Sequence, residues 1–178
     1  MEFEIEIIKS LQQISSELFE GFCKFISHIS NYIGFIFVLG LFFLLYKWRF
    51  AVAFGITYGL SIATNFGLKY LFNRPRPYVA SGEVLNILPG SGAAMPSGHT
   101  LSATLISCFC LYAIFKSTKN KFIRAISTIA FAIFISLVIV SRMYLGQHYL
   151  TDTLVGFALG LVFSAVGLYF YKRISKEA

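Results

Sequence analysis

Five long apolar segments dominate this chain of 178 residues. They span residues 25–46, 50–68, 97–115, 123–140 and 150–171. A helix needs about 20 apolar residues to cross the hydrocarbon core of a bilayer, and each segment reaches or approaches that length. Helices and closed barrels are the structures that satisfy their backbone hydrogen bonds within lipid. The segments therefore predict an all-α, polytopic membrane bundle with five clear transmembrane helices.

Composition favours a single integral membrane domain covering residues 1–178. Hydrophobic residues make up 57% of the chain and charged residues only 13%, whereas a soluble domain carries about 25% charged residues. The five segments account for most of the sequence, which leaves no stretch for a separate soluble domain.

Residues 1–24 have a different character. Five glutamates are interleaved there with apolar residues, and Ile7, Leu11, Ile14, Leu18 and Phe22 recur at helical spacing. This pattern predicts an amphipathic helix that lies on the membrane surface and continues into the first span. A sixth span is the alternative, which the carboxylates make costly. The segment lacks the basic start and the small-residue cleavage site of a signal peptide.

The net charge of +7 is concentrated at one end of the predicted bundle. With five spans, the loops at 47–49 and 116–124 share a side with the C-terminus, where nine cations accompany one acid, Glu177. The other side has six cations and seven acids. Short basic loops stay in the cytoplasm, so we expect a cytoplasmic C-terminus. A small chain with short cytoplasmic turns is typical of a protein of the bacterial cytoplasmic membrane, which is the location we expect. This distribution argues against a nucleic-acid partner.

Three polar blocks interrupt the apolar sequence, all at segment ends on the side predicted to face outward. A charged residue near a bilayer is costly, so it is a functional candidate by default. The blocks are Lys69 through Pro77, Pro96 through His99, and Ser141-Arg142 followed by His148 and Asp152.

The cations of these blocks suit a phosphate group. Lys69, Arg76 and Arg142 supply three positive charges, and the planar fork of an arginine can bind two phosphate oxygens at once. The alternative is that such side chains extend to lipid headgroups, and we interpret Arg74 as a headgroup or rim contact of that kind.

The Pro96–His99 block opens the third span. Serine is a good helix cap and glycine permits close backbone approach. Exposed amides at a helix start bind anions, helped by the helix dipole. We therefore expect the Ser97 hydroxyl and the amides near Gly98 and His99 to contact phosphate oxygens.

His148 and Asp152 are four residues apart at the start of the fifth span, so a helix would place them on one face. A carboxylate there can hold one ring nitrogen of His148 and leave the other free to attack phosphorus. His28 fits no such pattern and is interpreted as an ordinary polar residue.

Together the blocks resemble the signature of the type 2 phosphatidic acid phosphatase superfamily. That signature is a lysine, six residues and Arg-Pro; then Pro-Ser-Gly-His; then Ser-Arg, five residues, a histidine, three residues and an aspartate. The resemblance implies that His148 forms a phosphohistidine intermediate with help from Asp152. It also implies that His99 protonates the leaving oxygen and later activates water. The family core is usually drawn with six spans.

The resemblance implies a membrane lipid phosphatase acting at the outer leaflet. Short members hydrolyse polyprenyl pyrophosphate, phosphatidylglycerol phosphate, phosphatidic acid or related lipids. Undecaprenyl pyrophosphate is our first expectation and phosphatidylglycerophosphate the next. Two rivals are a vanadate-dependent haloperoxidase, which the apolar spans argue against, and a catalytically silent lipid-binding protein, which would not need His99, His148 and Asp152.

No cofactor is expected. Only Glu83 and Asp152 accompany the histidines in the polar region, whereas two-metal phosphatases need several carboxylates. The cysteines Cys23, Cys108 and Cys110 have no metal-ligand spacing and are expected to be free thiols. We therefore predict activity without a divalent metal.

The long loop and the glycine spacing carry two further expectations. The loop at 73–95 is long enough to be a lid or substrate rim, with a plain surface connection as the alternative, and its apolar run at 84–88 favours a short helix that dips into the interface. The pairs Gly55–Gly59 and Gly156–Gly160 have the spacing that lets membrane helices approach closely. We expect this packing within the bundle, with a homodimer as the alternative.

Overall fold

The computed structural model describes residues 2–14 and 16–176, and within these ranges the secondary structure is entirely helical. Met1, Ser15, Ala178 and the Glu177 of the charge count lie outside the described residues. The all-α prediction is confirmed. The helices are α1 (Glu2–Gln12), α2 (Glu17–Ile29), α3 (Tyr32–Leu45), α4 (Trp48–Phe72), α5 (Pro77–Ala80), α6 (Gly98–Ser117), α7 (Lys121–Tyr144) and α8 (Leu150–Lys176).

Up to five membrane spans are present. The stretch from α4 through α5 and the helices α6, α7 and α8 are each long and apolar enough to cross a bilayer, and α2 with α3 forms a pair bent by 50° that would make a fifth. The 14 residues of α3 reach only about 21 Å at 1.5 Å per residue, so α3 needs part of α2 to cross. A Cβ on Gly34 would collide with the carbonyl oxygen of Ile29, so glycine permits this sharp bend.

The end of α4 falls where the proline-rich block predicts. Asn73 adopts the left-handed conformation at the C-cap with φ 41°, and its N–H bonds the carbonyl of Lys69. Asparagine tolerates this conformation well, and Pro75 cannot continue a helix. The chain therefore turns out of α4 directly after Lys69, which keeps Lys69 and Arg76 at one end of the bundle.

Helix α6 is the centre of the bundle and packs against α8, α7, α4 and α3. Its contact with α8 is close because two glycines of α8 face it: a Cβ on Gly156 would collide with the carbonyl of Ser97, and one on Gly160 with Thr104. The predicted close approach is thus present at Gly156–Gly160. At Gly59 there is no neighbouring atom within 4 Å.

The N-terminal segment differs from the expected single surface helix. It forms two helices, and α1 packs on protein as well as facing outward. Ile8 is fully buried in a cluster with Val84, Met143 and Tyr149. Ile7 and Leu11 pack against this cluster, so part of the apolar face of α1 covers the loop and helix ends around the polar blocks. The predicted series does not continue on one helix face, because the chain breaks between α1 and α2 and Ile14 and Leu18 are 54% and 87% exposed.

The loop between α5 and α6 has no helix at 84–88. Two glutamines fix its backbone instead. Gln12 accepts from the N–H of Leu85 and donates to the Leu85 carbonyl, both at 2.9 Å, and Gln147 donates to the carbonyl of Leu88. These bonds replace the internal hydrogen bonds that a short helix would have made.

Candidate active site

Lys69 and Arg76 are held in place by carbonyls of the loop. Lys69, in the last turn of α4, donates to the Ala93 carbonyl at 2.5 Å. Arg76 donates to the carbonyls of Gly92 at 3.0 Å and Ser91 at 2.5 Å, and to the side chain of Gln147. A guanidinium has five N–H donors, so Arg76 keeps donors for a ligand. The loop thus orients both cations.

The Pro96–His99 block begins α6 as predicted. Ser97 is the N-cap, and its side chain makes no capping hydrogen bond. Its hydroxyl accepts from Thr100 at 3.1 Å, and its N–H donates to the carbonyl of Asp152 at 3.0 Å. The first amides of α6 therefore lack a side-chain cap, which suits the binding of an anion at this helix start.

His148 lies in the turn before α8, directly beside Asp152. Its Nδ1 is 3.7 Å from Oδ2 of Asp152 and has no hydrogen-bond partner among the described residues. Oδ2 instead accepts from the N–H of Tyr149 at 2.9 Å. The carboxylate is on the side of the imidazole that the spacing predicts, but at this distance the interaction is electrostatic rather than a hydrogen bond.

The environment of His148 favours its neutral form. Burial, followed by the positive charges of Arg142, Lys69 and Arg76, holds the pKa of His148 well below its usual range. Both causes disfavour the protonated ring. A neutral imidazole keeps a lone pair, which a nucleophile requires.

Arg142 is nearly fully buried in the last turn of α7. One of its Nη atoms donates to the hydroxyl of Ser27 on α2, while its Nε has no partner among the described residues. The bent first span therefore contributes to the site through Ser27, a residue that no sequence pattern pointed to.

Arg74 is not the rim residue that the sequence suggested. It donates to Oδ1 of Asp152 at 2.6 Å, to Glu4 at 2.9 Å and to the hydroxyl of Thr151 at 2.7 Å. Its guanidinium carbon lies 3.9 Å from the centre of the Tyr149 ring. Arg74 thus connects Asp152 to α1, and its ring contact has cation–π geometry.

Glu4 completes this network from α1. It accepts from the N–H of Thr151 at 2.9 Å and from the Thr151 hydroxyl at 2.8 Å. Burial raises the pKa of Glu4, but the hydrogen bonds from Thr151 and Arg74 outweigh it, so that the pKa is lowered overall. A carboxylate at the first turn of α8 is also favoured by the helix dipole.

A cavity of about 310 Å³ collects most of the predicted site residues. Those that line it are Lys69, Arg76, Gly98, His99, Arg142 and His148. Ser97 and Asp152 are fully buried and do not line it. Sequence reasoning missed the rest of the lining, which comprises Asn31, Tyr32, Tyr58, Ile62, Asn65, Phe66 and Ser102.

One wall of the cavity is apolar and reaches the surface of the bundle. Tyr32 at the start of α3 and Phe66 on α4 both line the cavity, and they are 59% and 67% exposed. An apolar wall that is exposed on the surface of the bundle, beside cations and two histidines, suits a ligand with an anionic head and an apolar tail.

No three His, Cys, Asp or Glu side chains are grouped as metal ligands within residues 2–14 and 16–176. The three cysteines are free thiols, as expected.

The PAP2 superfamily matches residues 46–176. A curated relative is phosphatidylglycerophosphatase B of Bacillus subtilis strain 168, 33% identical over 109 residues, which cover 60% of this chain and 51% of the relative. The chain thus spans about half the length of that relative.

Two solved structures have the same fold. One is a transmembrane PAP2-type phosphatidylglycerolphosphate phosphatase from Bacillus subtilis, with a TM-score of 0.79 and 24% identity, covering 97% of this chain and 86% of that one. The other is LpxE of Aquifex aeolicus, with a TM-score of 0.74 and 22% identity, covering 92% of this chain and 93% of that one. At these identities the likeness establishes the fold.

Proposed function

This chain belongs to the PAP2 superfamily, and from that premise we propose that it is an integral membrane lipid phosphatase. The observation that carries the proposal is the cavity in which Lys69, Arg76 and Arg142 surround His99 and His148. Cations and helix-start amides stabilise the charge of a phosphoryl group in transfer. The residues we assign to phosphate binding are Lys69, Arg76, Ser97, Gly98 and Arg142.

In the proposed mechanism a ring nitrogen of His148 attacks phosphorus, and the bond from phosphorus to the leaving oxygen breaks. His99 gives that oxygen its proton, so the lipid alcohol or the lipid monophosphate leaves with a protonated oxygen. His99 then takes a proton from water, whose oxygen attacks the phosphohistidine and releases inorganic phosphate with His148 restored. Asp152 stabilises the positive charge that His148 acquires while phosphorylated.

The substrate we propose first is phosphatidylglycerophosphate, because the curated relative is a phosphatidylglycerophosphatase. Undecaprenyl pyrophosphate, the first expectation from sequence, is the second candidate, since three cations in one cavity could hold a diphosphate. Phosphatidic acid is the third. In each case the lipid tail would leave the cavity past Tyr32 and Phe66 into the bilayer.

Phosphate release from a panel of these lipids tests the proposal. Detergent-purified protein is assayed in EDTA, with His148→Ala as the inactive variant and His28→Ala as its matched control. His28 lies exposed on α2, outside the cavity. Release that His148→Ala abolishes and His28→Ala retains supports the enzyme. Release from none of the lipids by folded protein favours the silent lipid-binding alternative, and full dependence on added Mg²⁺ contradicts a metal-independent mechanism.

We also propose that the active site faces away from the cytoplasm and that residues 1–178 form one domain. Nine of the fifteen cations fall at the other end of the chain's spans, as the positive-inside rule requires for cytoplasmic loops. Ser81→Cys in the α5–α6 loop and Lys119→Cys between α6 and α7 distinguish the two orientations. In intact spheroplasts a membrane-impermeant maleimide should label Ser81→Cys alone, and the reverse labelling would overturn this orientation.

A further inference from the structure

A second groove lies between α4 and α8, at the end of the bundle opposite the candidate active site. Its mouth is a cavity of about 490 Å³ whose lining includes Lys47, Arg49 and Tyr171. A neighbouring cavity of about 420 Å³ shares Arg49 and Tyr171 with the mouth and extends along α4 as far as Ile56. The two cavities therefore lie side by side along the groove.

The groove continues towards the middle of the bundle as an apolar channel. A third cavity of about 250 Å³ shares Ile56 and Tyr171 with the second and reaches Leu60 on α4 and Phe163 on α8. Thr57 is the only residue of its lining with a polar side chain apart from the tyrosine. The groove thus has a basic mouth and an apolar body.

Its length matches one leaflet of a membrane. From Trp48 at the mouth to Leu60 at the far end, α4 advances about 18 Å at 1.5 Å per residue. Half of a hydrocarbon core of about 30 Å is about 15 Å. The mouth would therefore lie at the headgroup level and the far end near the bilayer midplane.

The charge at the mouth is uncompensated within the described residues. Neither Lys47 nor Arg49 forms an ion pair there. No aspartate or glutamate occurs in the segments that form this end of the bundle, which are residues 43–57, residues 105–130 and the described part of α8 beyond residue 160. Tyr46 and Trp48 flank the two cations at the mouth, as aromatic residues do at a membrane–water interface.

We propose that this groove binds one anionic phospholipid of the leaflet opposite the active site, with the lipid phosphate at Lys47 and Arg49 and an acyl chain along α4 and α8. Basic residues at this level attract anionic lipids, and the apolar body offers the chain a place between helices. No histidine lines any of the three cavities, so this lipid is held and not hydrolysed.

The single tryptophan of the chain makes the proposal directly measurable. Trp48 is the only tryptophan and lines the mouth, so its fluorescence reports on this groove and not on the active site. Purified protein is placed in nanodiscs of phosphatidylcholine that contain increasing fractions of either phosphatidylglycerol or phosphatidylcholine with brominated chains. We expect half-maximal quenching at a roughly fivefold lower fraction of the anionic lipid.

Two double variants that remove the same charge test which residues cause the preference for anionic lipid. The double variant Lys47→Gln/Arg49→Gln should bring the two quenching curves together. Lys119→Gln/Lys121→Gln, which removes the same charge from the neighbouring α6–α7 connection, should leave them apart. Retained phosphate release from the lipid panel shows that both variants are folded. Raising the salt concentration should bring the two quenching curves of the unmodified protein closer together, because salt screens exposed charges.

Two results would overturn the proposal. One is coincident quenching by the anionic and the zwitterionic lipid in the unmodified protein at low salt. The other is a preference for the anionic lipid that persists undiminished in Lys47→Gln/Arg49→Gln, which would place the selectivity elsewhere at this end of the bundle.

Discussion

The guanidinium of Arg74 lies 2.6 Å from the fully buried carboxylate of Asp152. Asp152 is the residue expected to support His148, yet its shortest contact is with Arg74, and His148 is 3.7 Å away. Oδ1 of Asp152 faces Arg74, while Oδ2 faces His148 and the N–H of Tyr149. Arg74 therefore fixes the orientation of the carboxylate beside the proposed nucleophile.

Loss of this contact should lower turnover more than substrate affinity. In Arg74→Gln a buried carboxylate loses its charged partner, which is strongly destabilising for a buried pair. We expect kcat to fall roughly ten- to a hundredfold, the range seen when the hydrogen-bond partner of a metal ligand is removed, with KM little changed. Arg74→Lys keeps the charge without the fork and should be intermediate.

Steady-state kinetics and a thermal melt of each variant check this. Arg173→Gln, which removes an exposed arginine at the other end of α8, is the matched control and should behave like the unmodified protein. If Arg74→Gln raises KM and leaves kcat intact, Arg74 is a substrate contact and not a positioning residue.

Glu4 should make the stability of the protein depend on acidic pH. Its pKa is lowered in the folded state, so the stabilisation from its contacts is complete above the unfolded-state pKa and is lost as the pH falls through the lower folded value. Glu4→Gln should lower Tm at neutral pH and reduce the drop in Tm that acid produces below about pH 4.5. Glu2→Gln on the exposed face of α1 should change neither, and equal acid sensitivity of all three proteins would contradict this role.

The pH at which kcat/KM begins to fall on the acidic side should depend on the cations around His148. Arg142 and Lys69 both lower the pKa of His148, so the imidazole should stay neutral to below its usual titration range. In Lys69→Gln the pKa of His148 should rise. The acidic limb of kcat/KM should therefore move to higher pH, in addition to any loss of rate. The unmodified protein and the variant are compared on the same substrate, because titration of the substrate phosphate then affects both pH profiles equally. An unshifted limb would mean that another group controls it.

The sequence predicted those parts of the site that lie at helix ends in fixed patterns. Proline and asparagine end α4 after Lys69, and the Ser97 cap starts α6 beside His99, so the spacing of the blocks carried over into space. The contacts that no pattern encodes are long-range ones between single polar residues. Arg74 meets Glu4 seventy positions away, and Arg142 meets Ser27 on α2.

The spacing of glycines likewise does not predict which long-range contacts form. The pairs Gly55–Gly59 and Gly156–Gly160 are alike in sequence, but an added Cβ would collide with a neighbouring helix only at the second pair. At the first pair, Gly55 has ordinary room beside Leu39 and Gly59 has no neighbouring atom within 4 Å. Spacing indicates that a helix could be approached closely, and it does not indicate from which side. Which face meets α6 is decided by the packing of the whole bundle.

Substitution of Gly156 should therefore distinguish the effect of close packing between α6 and α8 from the effect of helix propensity. In Gly156→Ala the new methyl would press on the carbonyl of Ser97, the residue that starts α6 at the anion-binding turn. Overpacking typically costs about 1–3 kcal/mol, and displacement of the turn should also lower phosphate release.

Gly59→Ala is the matched control, because the added methyl meets no atom within 4 Å and alanine is about 1 kcal/mol better than glycine within a helix. We expect Gly59→Ala to keep full activity with an equal or higher Tm, while Gly156→Ala loses both activity and Tm. Thermal melts and phosphate release measured in the same detergent compare the two. If Gly156→Ala behaves like Gly59→Ala, close contact between α6 and α8 does not fix the position of Ser97.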